Sequence, residues 1–194
     1  MNLRTLTAIG IGFGAAMAAG WIGLPRALYR TLDQPMQFSH ATHTGEAVGM
    51  ACADCHALQE DGKFTGLPRI EVCAPCHTDP IGESEDEARL VRDYVTPGLE
   101  IPWLVYARQP ENVRFPHAPH LTLAGMECQA CHGDHGATAT LRPLEKNRLS
   151  TYSRDIEGRL PIRFSASDRG MKMTDCSRCH RERGVEESCL TCHK

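Results

Sequence analysis

The sequence predicts a mostly irregular chain whose short α-helices surround stacked cofactors, with one N-terminal transmembrane helix ahead of them. Three observations predict this fold. Five copies of Cys-x-x-Cys-His use all ten cysteines of the 194 residues. An uncharged apolar run of 19 residues extends from Leu6 to Leu24. The 17 glycines and 12 prolines are typical of connections, so few strands are expected.

The five motifs, numbered in chain order, share one chemistry. Two thiols separated by two residues can each add to a vinyl group of one haem, and the histidine that follows ligates the iron. The motifs are motif 1 (Cys52, Cys55, His56), motif 2 (Cys73, Cys76, His77), motif 3 (Cys128, Cys131, His132), motif 4 (Cys176, Cys179, His180) and motif 5 (Cys189, Cys192, His193). We therefore predict a multihaem cytochrome c with five covalently bound haem c groups, which themselves form much of the core.

Structural zinc and disulfides are the alternative interpretations of these cysteines. Motifs 1 and 2 are separated by 17 residues between Cys55 and Cys73, which is a zinc-ribbon spacing. A four-cysteine zinc site has no use for the histidine that ends every motif, however. Disulfides across a two-residue gap would close no long loop and would also leave the histidines unexplained. Both alternatives are therefore disfavoured.

The remaining histidines supply a second ligand for each iron. Ten histidines are present and five belong to motifs, which leaves five: His40, His43, His117, His120 and His135. Imidazole on both faces of an iron leaves no open coordination position, and the methionine ligand that raises the potential is missing. We therefore predict bis-histidine ligation throughout and no catalytic residue.

Four of these histidines lie in a repeated phrase, Phe38-x-His40-x-x-His43 and Phe115-x-His117-x-x-His120, and each copy precedes a motif. At these residues the chain resembles the class III cytochromes of the c3 and c7 kind, in which such a phrase serves two different haems. The resemblance implies that His40 is the distal ligand at motif 1 and that His117 is the distal ligand at motif 3. It implies that His43 and His120 each reach a different haem, and that His135 serves motif 4 or motif 5.

The N-terminal apolar run predicts where the protein is located. The uncharged window between Arg4 and Arg26 is 21 residues long, and as a helix it would span about 30 Å, the thickness of a bilayer core. Small residues around Ala16 also resemble a signal-peptide cleavage region, but the apolar run continues past them to Leu24, which favours a retained anchor. Since haem is attached on the outer side of the cytoplasmic membrane, we expect a single-pass inner-membrane protein with a periplasmic haem domain.

The net charge of the chain after the anchor indicates which kind of partner it can bind. Residues 31–194 contain 24 acidic and 18 basic residues, a net charge of −6. This balance disfavours nucleic acid and favours a protein partner with a basic docking face, because complementary charge speeds association.

The chain divides into four predicted parts: an anchor (1–30), a two-haem module (31–80), a connector with one short helix (81–110) and a three-haem module (111–194). In the connector, Ser84 and Glu87 have the spacing of a capping box, and Pro97 with Gly98 should end the helix. Tyr106 is expected to pack against a haem. Residues 137–175 form a long insertion without clear periodicity.

The Ile-Pro-Trp sequence at 101–103 and the closing pair of motifs extend the resemblance. With the anchor and the two phrases, they are similar to the multihaem cytochrome c subunit of quinone-linked respiratory complexes, of the menaquinone reductase (Qrc) and alternative complex III types. The resemblance implies an electron-transfer subunit that works with an integral membrane quinone-binding subunit, with iron-sulfur and molybdopterin-enzyme-like subunits, and with a soluble periplasmic cytochrome c.

Two other functions are alternatives. A standalone tethered quinol dehydrogenase would feed a periplasmic reductase, and a multihaem reductase enzyme would need a haem with an open face.

Overall fold

The computed structural model describes residues 2–60, 64–157, 171–186 and 188–193. Its α-helices are α1 (Leu3–Ala18), α2 (Leu24–Leu28), α3 (His40–Thr44), α4 (Cys52–Cys55), α5 (Ile70–Cys73), α6 (Glu85–Leu90), α7 (Gln129–His132), α8 (Arg154–Glu157), α9 (Met173–Glu182) and α10 (Cys189–Cys192). Two strands, β1 (Tyr29–Leu32) and β2 (Leu144–Asn147), complete the regular structure together with short π- and 3₁₀-helical turns. The expected architecture of short helices with little sheet is confirmed.

The N-terminal helix runs from Leu3 to Leu28 and is long and apolar enough to cross a membrane. The helix has 26 residues, and its 18-residue apolar window has a mean hydropathy of 1.5 and is not buried. The helix widens to π geometry over Ala19–Gly23, immediately before Pro25, which has no backbone N–H to donate.

Strand β1 follows this helix directly and pairs antiparallel with β2, so that Tyr29 lies opposite Asn147 and Leu32 lies opposite Leu144. The backbone N–H of Arg148 donates to the carbonyl oxygen of Leu28 at 2.8 Å. Part of the predicted insertion therefore lies beside the end of the N-terminal helix. Its residues 158–170 lie outside the described residues.

Four of the five motifs close a helical turn on themselves. The histidine N–H of motifs 1, 2, 3 and 5 donates to the carbonyl oxygen of the first cysteine at 2.8, 3.1, 3.0 and 2.9 Å, and motif 4 lies within α9. One turn of helix places residues three and four apart on the same face. The two cysteines and the histidine of each motif can therefore approach a single ligand together.

The connector helix begins and ends where the sequence predicts. Helix α6 has Ser84 at its N-cap position and continues as a π-helical turn over Val91–Val95. Gly98 ends it with a φ of +67°. The N–H of Gly98 donates to Val95, and the next N–H donates to Tyr94, which is the Schellman arrangement that satisfies the last carbonyls of a helix.

The apolar core is small for a chain of this length. Among the described residues the buried apolar side chains are Met36, Ile70, Val91 and Leu144, and none of the described side chains is more than 98% buried. A domain of this size normally buries a continuous core. The polypeptide alone does not provide one, so the space between its segments must be filled by something else.

Candidate haem-binding sites

The repeated phrase folds in the same way twice. In the first copy the Phe38 ring meets His40 edge-on, with ring centroids 4.9 Å apart at 84°, and stacks on His43 at 4.5 Å. In the second copy Phe115 meets His117 at 5.0 Å and 84°, and stacks on His120 at 4.7 Å. The phenylalanine therefore holds two imidazoles that point in different directions, as ligation of two separate irons requires.

Hydrogen bonds fix which ring nitrogen of these histidines can bind a metal. The Nδ1 of His43 donates to the carbonyl oxygen of Ser39 at 2.8 Å, and the Nδ1 of His120 donates to that of Pro116 at 2.9 Å. Because a carbonyl oxygen only accepts, the proton resides on Nδ1. The Nε2 lone pair of both rings is thereby available to a metal.

Three pairs of imidazoles have the separation that an axially ligated iron needs. Two metal–nitrogen bonds of about 2 Å and two five-membered rings with bonds of about 1.35 Å place the ring centroids about 6.3 Å apart. The observed centroid distances are 6.2 Å for His43 and His77, 6.4 Å for His117 and His132, and 6.1 Å for His120 and His180. Each pair joins one phrase histidine to one motif histidine, so the side chains present fit bis-histidine haem at motifs 2, 3 and 4.

The other two distal candidates are His40 and His135. Burial lowers the pKa of His40, and the nearby charges of His56 and His135 lower it further. Burial also lowers the pKa of His56 and of His117. These imidazoles are therefore neutral near pH 7, which is the form that ligates metal. The Thr138 hydroxyl donates to the carbonyl oxygen of His135 at 2.9 Å and faces the Nδ1 of His40 at 3.3 Å.

The two halves of the chain meet at the cofactor sites. Helix α3 contacts the turn after motif 3, where the N–H of Ala41 donates to Thr138 at 3.0 Å and the Thr44 hydroxyl donates to Gly136 at 2.7 Å. Phe64 lies between the motif 1 histidine and the second phrase, with ring centroids 6.0 Å from His56 and 5.0 Å from His117. The position of Phe64 was not predicted, because an isolated aromatic residue in a loop carries no sequence signal.

The thiols show which motifs are neighbours. Burial raises the pKa of one or both cysteines in motifs 1 to 4, and for four of these thiols the charge of a cysteine in another motif raises it further. Those neighbours are Cys55 for Cys73, Cys52 for Cys128, Cys179 for Cys131, and both Cys131 and Cys192 for Cys176. Motifs 2 and 1, 1 and 3, 3 and 4, and 4 and 5 are therefore adjacent in space.

The ten cysteines, all within the described residues, form no disulfide. In the described part of the chain no three histidine, cysteine or carboxylate side chains converge on a point that could hold a metal ion.

Glu87 lies close to motif 2 and makes hydrogen bonds that the sequence did not indicate. The Ser84 side chain makes no capping hydrogen bond, so the predicted capping box is wrong. The Glu87 carboxylate instead accepts from the N–H groups of Ile81 and Gly82, both at 2.8 Å, and from the Nδ1 of His77 at 3.1 Å. Three donors outcompete the single N–H that a capping box would offer.

Tyr106 of the connector lies over His135, with ring centroids 6.1 Å apart at 23°. Its hydroxyl donates to the carbonyl oxygen of Arg142, whose guanidinium lies 4.2 Å from the ring centroid. The connector therefore supports one of the candidate ligands.

Comparison with known proteins agrees with this geometry. Residues 24–95 match the Class III cytochrome C family, whose members bind haem c covalently. The chain is also 38% identical over 200 aligned positions to the menaquinone reductase multihaem cytochrome c subunit of Nitratidesulfovibrio vulgaris (strain Hildenborough), an alignment that covers 95% of this chain and 88% of that protein. The chain therefore belongs to the class III multihaem cytochromes c, in the group of the menaquinone reductase cytochrome subunit.

Proposed function

We propose that this chain is a membrane-anchored pentahaem c-type cytochrome subunit that relays electrons between a soluble periplasmic cytochrome c and a membrane quinone-oxidoreductase complex. The observation that carries the proposal is the set of imidazole pairs at coordination distance. Bound haem supplies a one-electron iron couple. Histidine on both faces leaves no position for a substrate, which is what a relay needs and an enzyme does not.

The proposed ligand sets follow from these pairs. His43 serves motif 2, His117 serves motif 3 and His120 serves motif 4. His40 is then assigned to motif 1, because it lies near His56 and belongs to the same phrase as His43. His135 remains for motif 5.

We propose a linear order of sites, 2–1–3–4–5. The first phrase bridges motifs 2 and 1, Phe64 bridges motifs 1 and 3, and the second phrase bridges motifs 3 and 4. The electrostatic influence of Cys192 on the Cys176 thiol supports a position of motif 5 beside motif 4. In this order the row of neighbouring sites has two ends, one for each partner.

The anchor and the relative indicate the partners. The helix Leu3–Leu28 would span about 39 Å, which exceeds a bilayer core and leads directly into β1 on the periplasmic side. The relative is a subunit of menaquinone reductase, so the proposed partners here are an integral quinone-binding subunit and iron-sulfur and molybdopterin-enzyme-like subunits. The net charge of −6 over residues 31–194 suits a basic face on the partner cytochrome.

The test is purification of the tagged full chain from its native membranes under mild detergent. We expect five haem equivalents per polypeptide by pyridine haemochrome assay, one for each motif. Only low-spin signals should appear in electron paramagnetic resonance, and several membrane and periplasmic subunits should copurify.

Each alternative has its own signature in this experiment. A high-spin signal with binding of carbon monoxide would favour the reductase enzyme, and a chain that copurifies alone or with one partner would favour the tethered quinol dehydrogenase. Zinc as the dominant metal would contradict the haem assignment itself.

A further inference from the structure

Glu87 is held in one position by the backbone around it. Oε1 accepts from the N–H of Ile81 and from the Nδ1 of His77, and Oε2 accepts from the N–H of Gly82. Only 16% of the Glu87 side chain and 17% of the His77 side chain are exposed. Two backbone N–H groups therefore hold the carboxylate against the imidazole of His77.

Three other imidazoles in the described part of the chain face neutral oxygens through Nδ1. His43 and His120 donate to backbone carbonyls, and His40 faces a threonine hydroxyl. His43 is the proposed partner of His77 on the same iron, so the two faces of the motif 2 site differ. Motif 2 thus has a distinct electrostatic environment.

A carboxylate that accepts the Nδ1 proton increases the electron density and the basicity of the opposite nitrogen. A more basic ligand stabilises ferric over ferrous iron, since hydrogen bonding around an axial ligand is one of the means by which a protein sets the potential of haem. We infer that Glu87 lowers the reduction potential of the iron bound through His77. The inference rests on the proposed bis-histidine ligation and adds Glu87, which that proposal does not use.

Gly82 provides an independent way to move the carboxylate. A Cβ added at Gly82 would lie 3.0 Å from the Oε2 of Glu87, closer than an ordinary van der Waals contact. Gly82→Ala therefore displaces the carboxylate from its position and keeps its charge in the chain. Glu87→Gln removes the charge and keeps the shape.

The matched control is Glu85→Gln. Glu85 lies two residues away in the same helix, its side chain is 88% exposed, and its carboxylate is 3.9 Å from Arg92. This variant removes the same charge from the same helix without touching His77.

The experiment is a potentiometric titration of the purified full-length holoprotein, followed by haem absorbance and electron paramagnetic resonance. A variant with Cys73→Ala and Cys76→Ala identifies the motif 2 component, which it lacks. We expect Glu87→Gln to move that component to a higher midpoint potential and to leave the other components in place. Gly82→Ala should move the same component in the same direction, and Glu85→Gln should match the wild type.

Titration curves of Glu87→Gln and Gly82→Ala that both superimpose on the wild type at full haem content would overturn the inference. If Glu87→Gln loses haem, the midpoint potential of the motif 2 component in Gly82→Ala decides. An unchanged potential in that variant would overturn the inference. A wild type without haem at motif 2 would overturn both proposals. A wild type lacking haem elsewhere would contradict only the pentahaem assignment.

Discussion

Gln34 joins the segment after the anchor to the connector, and its replacement should weaken the fold measurably. Its side chain is buried, at 8% exposure. The amide Nε2 donates to the carbonyl oxygen of Leu104 at 2.9 Å, and Oε1 accepts from the N–H of the same residue at 3.0 Å. Both backbone groups of Leu104 thus depend on one side chain.

Gln34→Leu leaves these two backbone groups without a partner in a largely closed space. A buried polar group that loses its hydrogen bond costs about 1–3 kcal/mol. Because Leu104 is only partly buried and water can reach it, we expect each of the two groups to cost an amount near the lower end of that range. The total loss of stability is then about 2–3 kcal/mol. Tyr106, two residues further on, should then hold His135 less firmly.

The measurement is guanidinium unfolding of the holoprotein in detergent, followed by far-ultraviolet circular dichroism and by Soret absorbance. Gln37→Leu is the control, because Gln37 is exposed and its Oε1 accepts one bond, from the N–H of Leu141 at 2.8 Å. Its expected cost is about 0.5–1 kcal/mol. Equal midpoints and slopes for the two variants would show that the Leu104 groups find other partners and would refute the argument.

Two further predictions test the proposed iron ligand His117 and the hydrogen bonds that Glu157 makes beside the two-stranded sheet. His117→Ala should convert the motif 3 site to high spin and let it bind carbon monoxide, whereas Thr122→Ala in the same turn should stay low-spin; a low-spin His117→Ala variant would contradict the proposed pairing. Burial raises the pKa of Glu157, but hydrogen bonds from three side chains, Tyr29 among them, leave it below its ordinary value. A lowered folded pKa stabilises the protein above the unfolded value of about 4.3, and this stability is lost as the pH falls through the folded pKa. Glu157→Gln should therefore reduce stability at pH 7 and flatten its decline in acid, as pH-dependent unfolding curves would show.

The motif helices and the connector helix could be predicted because each depends on residues that lie close together in the sequence. A Cys-x-x-Cys-His motif spans one turn, and its closing bond joins residues four apart. The end of the connector helix at Gly98 likewise needs only a residue that tolerates positive φ. The phrase histidines could be proposed as ligands for a different reason, because the phrase is repeated and the spare histidines equal the motifs in number. Their role as ligands stays a prediction. The boundaries of the two haem modules stay predictions.

What the sequence did not reveal depends on contacts between distant segments. Strand β1 pairs with β2 across more than one hundred residues, and neither segment has the alternation that would indicate a strand on its own. Glu87 was misread because its spacing from Ser84 satisfies a local rule, while the N–H groups of Ile81 and Gly82 and the imidazole of His77 offer more hydrogen bonds than the cap does.

The small apolar core and the proposed linear order of sites together make a prediction about losing one cofactor. Motif 3 stands in the middle of the row, where His117 and Phe64 connect the two halves of the chain, and motif 5 stands at one end. If cofactors replace the missing core, the double replacement of Cys128 and Cys131 by serine should cost more than one haem equivalent and abolish cooperative unfolding. The same replacement at Cys189 and Cys192 should cost one equivalent and leave a cooperative transition. Pyridine haemochrome assays and unfolding curves of the two variants decide the matter, since equal losses would mean that each site folds independently of its neighbours.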